Sequence, residues 1–175
     1  RVISWDYRGL FGSGRPADLA SLAMERQADD LRCVLDAEEV DSALLMGWSM
    51  GVQVIFEFCR QFPERVAGLV ACSGTAGRPF DGVLLLPQLG ALLPAVLKQA
   101  RKGAPLVGMV AKTVSSWRGL IPLMERLGMV APSLDRAVFD DIAEAFGGLD
   151  FEAYIETFRQ LGMHDCRDSV GAIEV

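Results

Sequence analysis

The chain has 175 residues, and 51% of them are apolar, which is enough for one domain with a real hydrophobic core. Its net charge of −6 is spread along the sequence without a basic block, which argues against nucleic acid as a partner. The four cysteines, Cys33, Cys59, Cys72 and Cys166, show no C-x-x-C spacing and no histidine cluster. They read as buried free thiols suited to a reducing cytoplasm, and no metal site is expected.

Val2-Ile3-Ser4-Trp5 reads as a short strand, and 6–16 as a glycine-rich loop. Gly9, Gly12 and Gly14 do not match G-x-G-x-x-G, and no Gly-Lys-Ser/Thr is present, so the loop is expected to be a structural turn rather than a phosphate cradle. Asp6 and Arg8 are expected to anchor it, as an ion pair or through hydrogen bonds. Asp18 or Ser21 is suited to cap the next helix, in which Met24, Ala28, Leu31 and Leu35 share one face. Residues 37–41 lead into Ala43-Leu44-Leu45-Met46, the continuous apolar run expected of a strand covered on both faces.

Gly47-Trp48-Ser49-Met50-Gly51 follows, and matches G-x-S-x-G, the nucleophile elbow. After it, Val52, Ile55, Phe56 and Cys59 recur at helical spacing until Pro63 stops the helix. The chemistry explains the spacing. A serine at a sharp strand-to-helix turn projects its hydroxyl clear of the sheet. Residues two positions away on either side lie so close to the turn that a Cβ would clash, so Gly47 and Gly51 are needed. The helix N-terminus points unpaired N–H groups at the serine, and the Met50 N–H is placed to stabilise an oxyanion. Ser49 is the candidate nucleophile, and Trp48 beside it a candidate for lining the acyl pocket.

Residues 68–72 form another apolar strand candidate, ending at Ser73-Gly74. Strand, helix, strand, helix, strand predicts a parallel sheet with helices on both faces. From Thr75 no strand pattern returns for about ninety residues, and prolines punctuate helical pieces. The clearest pieces are 136–146, with Val138, Phe139, Ile142 and Phe146 on one side, and 151–161, with Phe151, Tyr154, Ile155 and Phe158 on one side. The most apolar stretch, 83–97, contains Pro87 and Pro94 and is short for a bilayer, so no stable membrane insertion is expected. Trp5 and Trp117 are expected to be packing residues. Residues 169–175 read as a loop leading to a further strand.

Three features together resemble the α/β-hydrolase superfamily. They are Asp6-x-Arg8-Gly9-x-x-Gly12-x-Gly14, which is similar to the family's D-x-R-G-x-G-x-S loop with one extra residue; the elbow; and the helical block, at the position where many members insert a cap. The tail from His164 to Val175 looks like the family's approach to the strand before the catalytic acid. The resemblance implies an α/β-hydrolase core with a partial parallel sheet over 1–74, a helical cap over 75–165 and a return to the sheet over 166–175. It also implies that the acid, the catalytic histidine and the second oxyanion donor lie outside these residues, so the chain is read as an internal fragment, inactive alone. His164 is the single histidine and follows Asp140 and Asp141, in triad order. It stands just after the cap helices rather than after a late strand, so it is expected to be a loop histidine pairing with Asp165 or Asp168, not the base. The activity implied is hydrolysis of an apolar carboxylic ester or related acyl compound through an acyl-enzyme on Ser49, without a cofactor. Acyl transfer or perhydrolysis on the same fold, and a non-catalytic small-ligand receptor, are the alternatives. An aspartate-nucleophile chemistry is disfavoured by the serine at the elbow.

Overall fold

The computed structural model describes residues 1–82, 87–115, 120–126, 131 and 133–173. Its centre is a parallel pair of strands, β1 (Ala43–Trp48) and β2 (Val66–Cys72), joined by helix α2 (Met50–Gln61). Parallel strands need such a crossover. The register runs from Ala43 opposite Val66 to Trp48 opposite Cys72, with one irregularity between Ala43 and Leu44. Helix α1 (Met24–Ala37) precedes β1 and packs on α2. Met24, Ala28, Leu31 and Leu35 are all buried, as their spacing predicts. The cap is placed differently from expectation. Asp18 accepts from the N–H of Ala20 and so caps the 3₁₀ turn Leu19–Leu22, while α1 itself follows Ala23, which offers no side-chain cap.

The core lies between these two helices and one face of the strand pair. Ala28, Leu31, Leu35, Leu45, Ile55, Phe58, Cys59 and Val66 form it, with Trp5, Phe62 and Leu69 at its margin. Phe58 is fully buried, which contributes about 1.5–3 kcal/mol by area alone. Helix α2 is enclosed on nearly all sides; from Gly51 to Cys59 only Phe56 is partly exposed.

Two expectations about the sheet need correction. The run Ala43–Met46 is not covered on both faces: Leu45 and Gly47 point into the core, whereas Leu44, Met46 and Trp48 are 66%, 72% and 73% exposed. Strand side chains alternate, and α1 and α2 both pack on one face, so among the described residues the other face stays open. Val2–Trp5 is not a strand either, because no described segment pairs with it; Val2 is exposed, and Trp5 instead packs edge-on to Tyr7.

After β2 the described chain is helical: α3 (Pro87–Ala100), α4 (Ala104–Ser115), α5 (Leu120–Arg126), α6 (Arg136–Gly147), α7 (Phe151–Met163) and the short α8 (Arg167–Val170). Pro87 opens α3, where a missing N–H costs nothing, and Pro94 lies inside it rather than ending it. Asp135 and Asp150 cap α6 and α7 by accepting two backbone N–H groups each. Helix α7 is the anchor of this block. Phe151, Ile155 and Ala104 form a second cluster, and Phe146, Phe151, Tyr154 and Phe158 meet in edge and tilted ring contacts. Leu161 reaches Met24 and Val54, tying the block to the α/β part. On α6 the predicted stripe is displaced. Val138 and Ile142 are exposed, and the inward side is Ala143 with half-buried Phe139 and Phe146, because the helix turns its small residue toward α4. Trp117 lies outside the described residues, as do 83–86 within the apolar stretch. No helix among the described residues is long and apolar enough to cross a membrane.

Candidate active site at the strand-to-helix turn

Ser49 sits between the last residue of β1 and the first of α2, at φ 54° and ψ −116°. An L-residue at positive φ with this ψ is strained, and such strain persists only where the surroundings enforce it. Here they do. The Ser49 N–H donates to the Cys72 carbonyl (3.0 Å), and the Val52 N–H closes the turn on the Ser49 carbonyl (3.1 Å). A Cβ on Gly47 would lie 2.5 Å from the Gly51 carbonyl carbon and 2.7 Å from the Val52 nitrogen, against backbone that cannot yield. At Gly51 a Cβ would lie 3.1 Å from the Tyr7 hydroxyl, a tight but softer contact. Gly74, which the motif does not include, is as constrained as Gly47. Its Cβ would come within 2.6 Å of the Ser49 carbonyl oxygen and 2.5 Å of Val52 Cγ2. It follows Ser73, itself at φ 50°, so the end of β2 is shaped to fit against the turn.

Ser49 is exposed, and Met50 opens α2 immediately after it, among the N–H groups that have no partner within the helix. Trp48 stands on the open sheet face with Leu44 and Met46, where no described residues close a pocket around it. A cleft of about 420 Å³ lies instead toward the far end of α2, between Cys59, Pro63, Ser169 and Ile173.

The glycine-rich loop behaves as a structural turn. Asp6 accepts from the Gly12 N–H (3.0 Å) and its carbonyl accepts from the Ser13 hydroxyl (2.8 Å). Arg8 does not pair with Asp6. It forms a two-pronged ion pair with Asp30 of α1 (2.9 and 2.5 Å), fixing the loop to the helix beneath.

His164 corrects a sequence expectation. It is buried, and neither Asp165 nor Asp168 holds it. Its Nδ1 lies 2.6 Å from Gln53 Oε1 and its Nε2 3.1 Å from Glu57 Oε2, both on α2. The Gln53 amide nitrogen donates to the Gly77 carbonyl (2.5 Å), so its oxygen must face the ring and Nδ1 must carry a proton. Cys166 Sγ completes the group, 3.3 Å from His164 Nε2 and 3.4 Å from Glu57 Oε2. Burial acts to raise the Glu57 carboxyl. Hydrogen bonds from His164, Arg60, Gln61 and Cys166 outweigh it and hold the group well below the usual carboxylate range. Burial and the neighbouring Glu57 push the Cys166 thiol up to about 12, so it is no nucleophile at neutral pH. Asp165 pairs with Arg167 instead. The four cysteines are free thiols, but only Cys59 and Cys166 are buried; Cys72 is half-buried and Cys33 exposed. Sequence spacing missed this cluster because Gln53 and Glu57 lie 107–111 residues from their partners His164 and Cys166. The signal available was the pair Gln53 and Glu57, polar residues four apart in the otherwise apolar run 50–59.

A sequence profile described as "alpha/beta hydrolase fold" matches residues 1–127. The chain belongs to the α/β-hydrolase fold family. A Bacillus subtilis (strain 168) relative, provisionally named 2-succinyl-6-hydroxy-2,4-cyclohexadiene-1-carboxylate synthase, is 32% identical over 77 residues, covering 44% of this chain and 28% of the relative. Epoxide hydrolase 1 of Caenorhabditis elegans is 27% identical over 73 residues, 42% of this chain and 18% of that one. Two solved structures share the fold across 97% of this α/β-hydrolase chain, each with a TM-score of 0.66: a thermophilic esterase from Thermogutta terrifontis (21% identical) and an esterase from Exiguobacterium antarcticum (18%). The chain spans 56% and 58% of those esterases, and under a third of the two sequence relatives.

Proposed function

We propose that this chain carries the nucleophile of a serine hydrolase acting on a carboxylic ester or related acyl compound. The observation that carries the reading is the enforced positive φ of Ser49 at the mouth of α2. In this reading Ser49 Oγ attacks the acyl carbon, and the carbonyl electrons move to oxygen. The Met50 N–H stabilises that oxyanion, a contribution of about 2.7–4 kcal/mol for one such donor. Collapse expels the alcohol and leaves an acyl-serine, which water then hydrolyses. His164 is not the base, since both ring nitrogens are committed to Gln53 and Glu57. The activating histidine, the acid that orients it and the second oxyanion donor are then contributed by residues beyond these 175, and the chain alone is inactive.

The relatives' names span a synthase, an epoxide hydrolase and esterases, and a serine at position 49 favours acyl chemistry among them. The helical segment 75–165 would act as a cap over an apolar substrate, with Trp48 on the elbow contributing to the acyl pocket. The free thiols support a cytoplasmic setting.

The test is a fluorophosphonate probe applied to a version extended at both ends, with the adduct mapped by mass spectrometry. Labelling confined to Ser49 and abolished by Ser49→Ala supports the reading. A folded, extended protein that takes no label excludes an activated serine and favours a ligand-binding role for the same fold.

A further inference from the structure

We infer that Glu57, His164 and Cys166 form a binding site for a zinc-type divalent cation, separate from the Ser49 turn. Three ligand types that suit zinc converge from two distant segments, and all three side chains are buried. The carboxylate oxygen, imidazole nitrogen and thiol sulfur form a triangle with edges of 3.1, 3.3 and 3.4 Å. Zinc bonds of about 2.0–2.1 Å to nitrogen or oxygen and about 2.3 Å to sulfur give tetrahedral edges of roughly 3.3–3.6 Å. The existing triangle therefore needs adjustments of only a few tenths of an ångström.

The surrounding hydrogen bonds point the same way. Ligating histidines donate their second ring N–H to an oxygen that fixes the ring. Gln53 Oε1 takes that proton from Nδ1, with the Gly77 carbonyl orienting the amide. This leaves the Nε2 position facing the Glu57 oxygen and the sulfur. Glu57 Oε1 is held by Arg60 and Gln61, both at 2.5 Å, and Arg60 Nε also donates to Oε2 (3.0 Å), so an ion at Oε2 would share that oxygen with the guanidinium. With Nδ1 turned to Gln53, His164 Nε2, Glu57 Oε2 and Cys166 Sγ face one another, and one ion between them would be bound by all three. On binding, the Cys166 S–H proton leaves to solvent and a metal–sulfur bond replaces it, with no change in oxidation state. Three protein ligands leave the fourth position to water. Such an ion would pin α2, the helix that starts at Ser49, to the segment that leaves α7.

The experiment is cobalt(II) titration of the purified, chelator-stripped protein, followed by displacement with zinc. One equivalent is expected to give tetrahedral d–d bands and a thiolate-to-cobalt charge-transfer band. X-ray absorption of the zinc form is expected to show one sulfur at about 2.3 Å and lighter ligands at about 2.0–2.1 Å. Gln53→Leu, which keeps every ligand, should weaken binding roughly 10–100-fold. Cys166→Ser should remove the charge-transfer band and Cys33→Ser should leave it intact. A folded wild-type protein without the tetrahedral spectrum overturns the proposal and assigns the contact to a His164–Glu57 hydrogen bond alone. So does a band that survives Cys166→Ser and is lost with Cys33→Ser. The wild-type spectrum decides even if a variant fails to fold, and neither result depends on whether Ser49 reacts.

Discussion

Ser49 is held in a conformation that glycine would adopt more easily, at φ 54°, by the carbonyl of Cys72 on one side and the Val52 N–H on the other. Strain of this kind costs on the order of 1–3 kcal/mol, while placing glycine there sacrifices about 0.5–1 kcal/mol of chain entropy. Ser49→Gly should therefore raise stability by about 1 kcal/mol. Ser49→Ala keeps the strained Cβ and should stay within about 0.5 kcal/mol of the parent. Urea unfolding of the three proteins checks this. Equal midpoints for all three would mean that the turn is relaxed and that its geometry does not reflect a poised nucleophile. The comparison separates stability from chemistry, because both variants lose the hydroxyl but only one gains stability.

At the scale of elements, β1 tests how far a strand's apolar run can be read as burial. Leu45 is buried under α1 and α2, while Met46 beside it is 72% exposed. Leu45→Ala should cost about 2–4 kcal/mol and Met46→Ala less than about 0.5 kcal/mol, measured by denaturant midpoints. A large effect at Met46 would show that something covers this face in solution. Helix α7 supplies a second test. The Glu156 side chain is 2% exposed and is held by Arg159 (2.6 Å) and Arg101 (2.9 Å). Burial would raise its carboxyl, but Arg159, Gln160 and Arg101 together hold it below 4.5. A depressed folded value stabilises above the unfolded one, so the contribution is full at neutral pH and lost as pH falls below 4.5 through the folded value. Glu156→Gln should cost about 1–3 kcal/mol at pH 7, with the difference from wild type shrinking under acid. A gap that does not change with pH would show that the ion pairs contribute nothing.

At the scale of the molecule, the elements fixed by local chemistry were legible in the sequence. The 3.6-residue spacing in α1 and the glycines around Ser49 are short-range constraints. What was not legible depends on what comes to lie opposite. Val2–Trp5 has strand composition but no pairing partner among the described residues, the face chosen by α6 depends on α4, and His164 finds Gln53 and Glu57 across more than 100 residues. The same long-range packing joins the helical block to the α/β part. Leu161 of α7 is buried against Met24 of α1 and Val54 of α2, Arg15 pairs with Asp150 and Glu152, and the Cys166 N–H donates to the Ala76 carbonyl (2.8 Å). The Arg15 pairs are exposed and contribute little. The seam thus depends on buried contacts such as Leu161, whose truncation to alanine should cost about 2–4 kcal/mol. If the seam makes the molecule one cooperative unit, Leu161→Ala shifts a single transition with its slope unchanged. Far-ultraviolet circular dichroism, which follows all helices, and fluorescence of Trp5 and Trp48 in a Trp117→Phe background, which reports the α/β part, should then move together. Separation of the two curves would show that the helical block unfolds as its own unit.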